Sequence, residues 1–316
     1  MADLHPEFFA ADVHGAVRVL SEPPVELETV GTLARRARRL LFLGMGSSRF
    51  AALDAATLLR SHGVEATAEM ASTGLPQPPT ADTLVLAISA TGGSAETVTA
   101  MRRHLGTSMV VGLTARLDGP IAQEADICLQ IAGDRRSGVA CASYRSTVAV
   151  LQQVCGLLVP VPVTATRERA AETAAKVLAH RHEWLPRAVE LLAPGPVHVL
   201  APAERMGSAE QSALMLREVP RIPAYACETG DWSHVDVYLT KHPGYRALLL
   251  SGSRYEGEVI EWATERGFPV VVAGGSLPGA ALQIELPGAG APFVRPLVET
   301  LVAELIAAEL WALAPI

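Results

Sequence analysis

Lysine is almost missing from this chain of 316 residues: only Lys176 and Lys241 occur, and every other cationic side chain apart from histidine is arginine. Amine nucleophiles for Schiff-base chemistry are correspondingly scarce. Aromatic residues make up only 5%, so there are few platforms on which nucleic-acid bases could stack. The net charge is -7, and the one concentrated basic run, Arg35-Arg36-Ala37-Arg38-Arg39, falls at an expected helix end, where cations suit the dipole. No nucleic-acid partner is expected. None of the four cysteines, Cys128, Cys141, Cys155 and Cys227, is spaced as C-x-x-C, which argues against a zinc ribbon or dithiol motif. Neither a metal nor a cofactor is expected. The longest apolar stretch, 148–163, is interrupted by Gln152, Gln153 and Pro160 and is too short to span a bilayer. The first fifteen residues carry acids and no basic segment before an apolar core, unlike a secretory leader. These absences predict a soluble cytoplasmic protein with reduced thiols and no membrane partner.

What is present centres on Ser89-Ala90-Thr91-Gly92-Gly93-Ser94-Ala95-Glu96-Thr97. An apolar run, 83–88, precedes it and reads as a buried strand. An amphipathic segment follows and reads as a helix closing near Gly106. Strand, hydroxyl- and glycine-rich loop, then helix is the layout of an anion site: backbone N–H groups and the helix dipole favour negative charge, and glycines allow close approach. Ser89, Thr91, Ser94 and Thr97 add hydroxyls. The competing reading is an ordinary strand-to-helix turn with Ser94 as N-cap.

The surrounding pattern places this loop. Helices are expected over 4–20 and 26–39. Short apolar runs at 40–43, 65–69, 84–88, 109–113 and 127–131 then alternate with helical segments that include 47–61 and 143–158. After Pro160-Val161-Pro162 a polar-faced helix is expected over 167–189, and five more runs follow at 197–200, 223–226, 247–250, 270–273 and 282–286. A final helix is expected over 293–313. Corresponding runs are offset by a near-constant 155–163 residues, the signature of a duplicated unit. The expected fold class is α/β: two flavodoxin-like units, each a five-stranded parallel sheet flanked by helices. Expected boundaries are N-terminal helices 1–39, a first domain 40–160, a connecting helix 161–192 and a second domain 193–316.

Ligands of such sheets sit at the carboxyl ends of strands near the topological switch point. In the first unit, strand 1 ends in Gly44-Met45-Gly46-Ser47-Ser48 and strand 3 in the Ser89–Thr97 loop, two hydroxyl-bearing loops on one crevice. Strand 3 of the second unit ends in Ser251-Gly252-Ser253-Arg254-Tyr255-Glu256, with a carboxylate where an anion would go, so one phosphate site is expected rather than two. A dinucleotide-binding reading of Gly44-x-Gly46 is disfavoured because position 49 is Arg rather than Gly.

These motifs resemble those of the sugar isomerase (SIS) domain family, in the tandem arrangement found in the isomerase half of glucosamine-6-phosphate synthase. The resemblance covers roughly residues 25–312. Gly44-Met45-Gly46-Ser47-Ser48 is similar to the family's Cys-Gly-Thr-Ser loop, and the Ser89–Thr97 stretch to its Ser-Gln-Ser-Gly phosphate loop. Gly138-Val139-Ala140-Cys141 is similar to its sugar-lining Gly-Val-Ala-Ser segment. Ala213-Leu214-Met215-Leu216-Arg217-Glu218 resembles the helix bearing the family's catalytic Glu. Gly230-Asp231-Trp232-Ser233-His234 resembles the segment whose His opens the sugar ring. The resemblance implies Glu218 as base, His234 as ring-opening residue, Ser47, Ser48, Ser89, Thr91, Ser94 and Thr97 at the substrate phosphate, and Val139 and Cys141 at the sugar. It also implies a homodimer in which His234 enters the partner's site. Tyr144, Arg145, Glu228 and Trp232 are further candidates to reach the sugar.

The chemistry is consistent. Aldose–ketose interconversion moves a proton between C2 and C1, a task for a shielded carboxylate, and histidine can shuttle the ring-opening proton. The sequence departs from the synthase pattern at Met215, where the family has Lys, at Cys141 for Ser and at Ala90 for Gln, and no lysine follows Lys241. Glutamine-dependent synthesis is not expected. Two expectations remain open: an isomerase, with or without deamination, of a hexose or hexosamine 6-phosphate, and a sugar-phosphate-binding protein without catalysis.

Overall fold

The computed structural model describes residues 6–134, 137–193, 195–291 and 293–313. The chain divides into two compact units. The N-terminal unit comprises residues 19–134 and 140–167; the C-terminal unit comprises 1–18, 135–139 and 168–316. The helix expected over 4–20 is two helices, α1 (Pro6–His14) and α2 (Ala16–Ser21), parted at Gly15, and its residues 4 and 5 lie outside the described residues. Helix α3 (Glu28–Arg36) follows and ends short of the arginine run's last members.

In the N-terminal unit, β1 (Arg39–Gly44), β2 (Glu65–Met70), β3 (Thr83–Ile88), β4 (Met109–Thr114) and β5 (Ile127–Gln130) form one parallel sheet in the order β2-β1-β3-β4-β5. All six residues of β3 are buried, as its unbroken apolar run requires of a central strand with helices on both faces. Helices α4 (Gly46–Ser61), α5 (Ala95–Arg102) and α6 (Pro120–Glu124) connect the strands, and α7 (Ala142–Cys155) packs on α4. Leu41, Leu43, Val85, Ala87 and Val110 of the sheet meet Val98 and Met101 of α5 and Ile121 of α6 in one core cluster. Each large member contributes roughly 1.5–3 kcal/mol by leaving water.

After α8 (Val163–Leu192), whose first turn belongs to the N-terminal unit, comes the main part of the C-terminal unit. It repeats the design with β6 (Val197–Ala201), β7 (Ala224–Glu228), β8 (Arg246–Leu250), β9 (Val270–Ala273) and β10 (Leu282–Ile284), all parallel, in the order β10-β9-β8-β6-β7. Counted within each unit, both sheets have the strand order 2-1-3-4-5. Helix α9 (Met206–Glu218) joins β6 to β7. A short helix α10 (Thr229–Trp232) and a 3-10 turn, Asp236–Lys241, lead to β8, and α11 (Glu256–Arg266) joins β8 to β9. Helices α12 (Arg295–Val298) and α13 (Thr300–Leu313) close the chain, and Phe9 of α1 meets Trp311 of α13 at 6.2 Å between ring centroids. Right-handed crossovers in opposite directions put α9 on one face of this sheet and α10, the 3-10 turn and α11 on the other. Accordingly α9 packs on α13, whereas Trp232, Val237, Val259 and Ala263 share a core cluster on the second face.

His104, at 1% exposure between α5 and β4, is held below its ordinary pKa by burial first and by Arg103 second. Between that lowered value and the unfolded value of about 6.5, the unfolded chain binds the extra proton, so stability rises with pH across this window. Stability is therefore lost as pH falls below about 6.5. Urea titrations at high and low ends of this range are expected to give a lower midpoint at the acid end, and His104→Gln is expected to flatten the difference. An equally steep loss in the variant would contradict the assignment.

Candidate functional site

The order 2-1-3-4-5 reverses direction between β1 and β3, and both candidate loops leave the sheet there. Leu43 of β1 is in register with Ala87 of β3, so Gly44 and Ile88 end side by side. Helix α4 then starts at Gly46 with no side-chain cap. Gly44 is required by the close approach of that helix: a Cβ would lie 3.0 Å from the Arg49 nitrogen. Ser47 and Ser48 are in the first turn of α4 and half-buried.

The second loop is a tight hydroxyl cluster. Gly92 N donates to Ser89 O at 2.9 Å, closing a turn, and Ile121 N donates to Gly92 O at 3.0 Å, tying the turn to α6. Ser94 caps α5, its Oγ accepting from Thr97 N at 3.5 Å and from Thr97 Oγ1 at 3.2 Å. Ser94 Oγ in turn donates to Glu96 at 2.9 Å. Ser94 N donates to Ser89 Oγ at 3.4 Å, and the Ser89 and Thr91 hydroxyls lie 3.4 Å apart. Thr91 is exposed and Ser94 half-buried, whereas Ser89 is buried and Thr97 fully so. Thr97 therefore acts within the loop through Ser94. Glu96, absent from the candidate residues, holds its carboxyl below the usual range through its own backbone N–H and the Ser94 hydroxyl. Binding an anion at Ser94 requires that carboxylate to turn away.

Val139 and Cys141 are both 0% exposed, so neither side chain is open to a sugar in the folded chain. The start of α7 is instead capped by Asp134, which accepts from Cys141 N at 3.0 Å, from Ser143 N at 3.1 Å and from the Ser143 hydroxyl. This cap was not foreseen; an Asp shortly before a long apolar helix was its only signal. Tyr144, Arg145 and Trp232, read as candidates to reach a sugar, are likewise buried. Trp232 is a core anchor whose Nε1 donates to Tyr245 OH at 2.7 Å. Glu228 caps α10, accepting from Asp231 N at 2.8 Å.

Glu218 and His234 belong to the C-terminal unit and are not brought together. Glu218 is the half-buried last residue of α9, at the amino edge of the sheet, where Arg217 Nη1 donates to Ala224 O at 2.7 Å. Beyond it Arg221 turns the chain with φ of 59°. His234 is exposed on the turn after α10, on the opposite sheet face. The sheet therefore stands between them.

The second unit's equivalent loop is occupied by its own side chain. Glu256 accepts from Gly252 N at 2.8 Å and from Ser251 Oγ at 3.3 Å. Arg205 Nη2 donates to Ser251 O at 2.6 Å, Arg295 also donates there, and Arg205 pairs with the fully buried Glu299. The sequence pointed to Glu256 but not to these arginines, which converge from distant segments.

Gly92 has φ of 70°, and a Cβ there would lie 3.0 Å from Arg116 O and from Thr114 Oγ1, whereas Gly93 has only Thr91 O at 4.0 Å. Gly92→Ala is expected to destabilise the protein by about 1–3 kcal/mol in urea unfolding, and Gly93→Ala by no more than roughly 0.5 kcal/mol. Equal effects would show that the loop relaxes freely.

Residues 33–155 match the family model of the SIS domain. No curated protein matches the chain in sequence. Among solved structures, the C-terminal domain of glucosamine-fructose-6-phosphate aminotransferase from Francisella tularensis is similar over 96% of both chains, with TM-score 0.77 and 16% identity. Tagatose-6-phosphate ketose/aldose isomerase from Escherichia coli matches over 97% of this chain and 91% of its own, with TM-score 0.78 and 15% identity. Glucosamine-6-phosphate deaminase from Thermotoga maritima matches over 97% and 93%, with TM-score 0.66 and 16% identity. At such identities these likenesses concern the fold. Residues 33–155 match the SIS domain, and the two five-stranded parallel sheets, which share one strand order, give the chain a double SIS α/β fold.

Proposed function

We propose that this protein is a phosphosugar isomerase acting on a hexose or hexosamine 6-phosphate, with release of ammonia where the substrate carries a C2 amine. The observation that carries this reading is the pair of hydroxyl-lined loops at the switch point of the N-terminal sheet, opening α4 and α5. Backbone N–H groups at the start of α4, with Ser47, Ser48, Ser89, Thr91 and Ser94, supply donors for a phosphate dianion, and the helix dipoles favour its charge. Thr97 orients Ser94. Glu218 moves the proton between C2 and C1 through an enediol or enolamine, and His234 transfers the proton that opens the ring.

The separation of Glu218 from His234 supports a homodimer in which each chain lends His234 to the other's substrate. The exposed side chains Val235, Tyr238 and Leu239 beside His234 suit burial against a second copy. The reading includes a cytoplasmic location and domain limits near 40–160 and 193–316. Among the described residues no helix is long and apolar enough to cross a membrane. A second reading, a sugar-phosphate-binding protein without turnover, is favoured by the burial of Val139 and Cys141 and by Met215 at 0% exposure in place of a lysine.

Incubation with glucosamine 6-phosphate and fructose 6-phosphate in D2O separates the two. Solvent deuterium is expected to enter C1 or C2, and Glu218→Gln is expected to slow this by roughly 10²–10⁴-fold. Binding without exchange for either substrate would favour the second reading. Ser89→Ala combined with Thr91→Val is expected to weaken phosphate-ester binding by roughly ten- to a hundredfold. Unchanged affinity would displace the phosphate from this loop.

A further inference from the structure

Behind the turn that carries His234 lies a buried polar assembly with no part in the chemistry above. His198, on β6, is 2% exposed. Its ring stacks on Tyr245 at 4.2 Å with an interplanar angle of 19° and lies 5.4 Å from the Tyr225 ring. Its Nδ1 is 3.7 Å from Asp236 Oδ2, an electrostatic pairing too long for a direct hydrogen bond. Asp236 stands two residues after His234 and opens the 3-10 turn. The same carboxylate acts on the buried Cys227 thiol, whose pKa is raised to about 12 by burial first and by the charge of Asp236 second.

The remainder of the segment is held at both flanks. Before His234, Trp232 is fixed by its hydrogen bond to Tyr245 OH, the ring that stacks on His198. After it, Arg266 Nη1 donates to Val237 O at 2.7 Å and to the Thr240 hydroxyl. Between these anchors His234, Val235, Tyr238 and Leu239 project outward. Polar groups sunk in a core cost stability unless they are paired. Here they converge on the short segment that carries the ring-opening candidate.

We propose that His198 is a positioning residue for His234: its imidazole, clasped between Tyr225 and Tyr245 and paired with Asp236, fixes the turn that presents the His234 side chain. The proposal rests on the isomerase reading for its kinetic consequence, but its structural consequence holds in the protein without substrate. His198→Phe keeps the stacking and removes the partner of Asp236. Asp236→Asn, at a half-exposed position, removes the charge from the other side and serves if the first variant fails to fold.

Two measurements on the full chain test it. Amide hydrogen exchange over 233–237 is expected to accelerate roughly tenfold in either variant relative to the rest of the C-terminal unit. With fructose 6-phosphate, kcat is expected to fall roughly tenfold while KM changes less than about twofold, as misplacement of a group used only in the transition state requires. The His234 imidazole proton resonances are expected to shift in both variants. Exchange that is unchanged at 233–237, or raised uniformly across the unit, overturns the proposal and leaves His198 a core residue. A loss confined to KM overturns it as well. If the unaltered protein turns over no sugar phosphate, the isomerase reading falls, while the exchange and resonance measurements still decide whether His198 holds the turn.

Discussion

The handedness of parallel β crossovers is the constraint on which this molecule depends. A right-handed connection leaving β1 toward β2 must put α4 on one face of the sheet, and connections running the other way must put α5 and α6 on the opposite face. The two helices thus diverge from adjacent strand ends. Ser47 and Ser48 follow one of these strand ends and Ser89 and Ser94 the other, so backbone topology sets which hydroxyls leave the sheet at the switch point. The glycines matter for the same reason: Gly44 and Gly92 stand where a Cβ would meet backbone or a neighbouring hydroxyl.

The same rule, applied to the second sheet, separates the two acid–base candidates. Helix α9 and the turn bearing His234 lie on opposite faces because one follows a step from β6 to the edge strand β7 and the other a step back across β6 to β8. Both residues sit sixteen positions apart in sequence, yet the sheet's thickness is fixed between them. Under the proposed isomerase reading, shared sites between two copies are then a product of crossover geometry, and no loop rearrangement within one chain would replace them.

Much of the fold was legible because strands buried on both faces are continuous apolar runs, and repetition let each weak run support its counterpart. The strand expected at 270–273 is β9 to the residue, and 84–88 differs from β3 only by Thr83. Errors fell where termination depends on local geometry. Gly15 parts α1 from α2 inside a stretch that reads as one amphipathic run. Helix α8 begins directly after Pro162, whose carbonyl accepts from Thr166 N at 2.9 Å, ahead of the start expected at 167, and it runs through Pro186 to Leu192. In the site, residue types were legible but burial was not. Cys141, Thr97 and Trp232 carry suggestive chemistry, and only the packed chain shows their side chains to be enclosed. Asp134, Arg205 and Arg295 were invisible for a complementary reason: their roles arise from partners that only folding brings near.

Glu256 gives the duplication an asymmetric outcome. A carboxylate tethered four residues from the amide it occupies acts at an effective concentration that dissolved phosphate cannot match at ordinary levels. The C-terminal loop is thereby a receptor permanently filled by a ligand of its own chain, with Arg205, Arg295 and Glu299 balancing the charge around it. Under the proposed reading, only the N-terminal loop of such a chain is left to take an anion from solution, and the duplicated unit serves as scaffold.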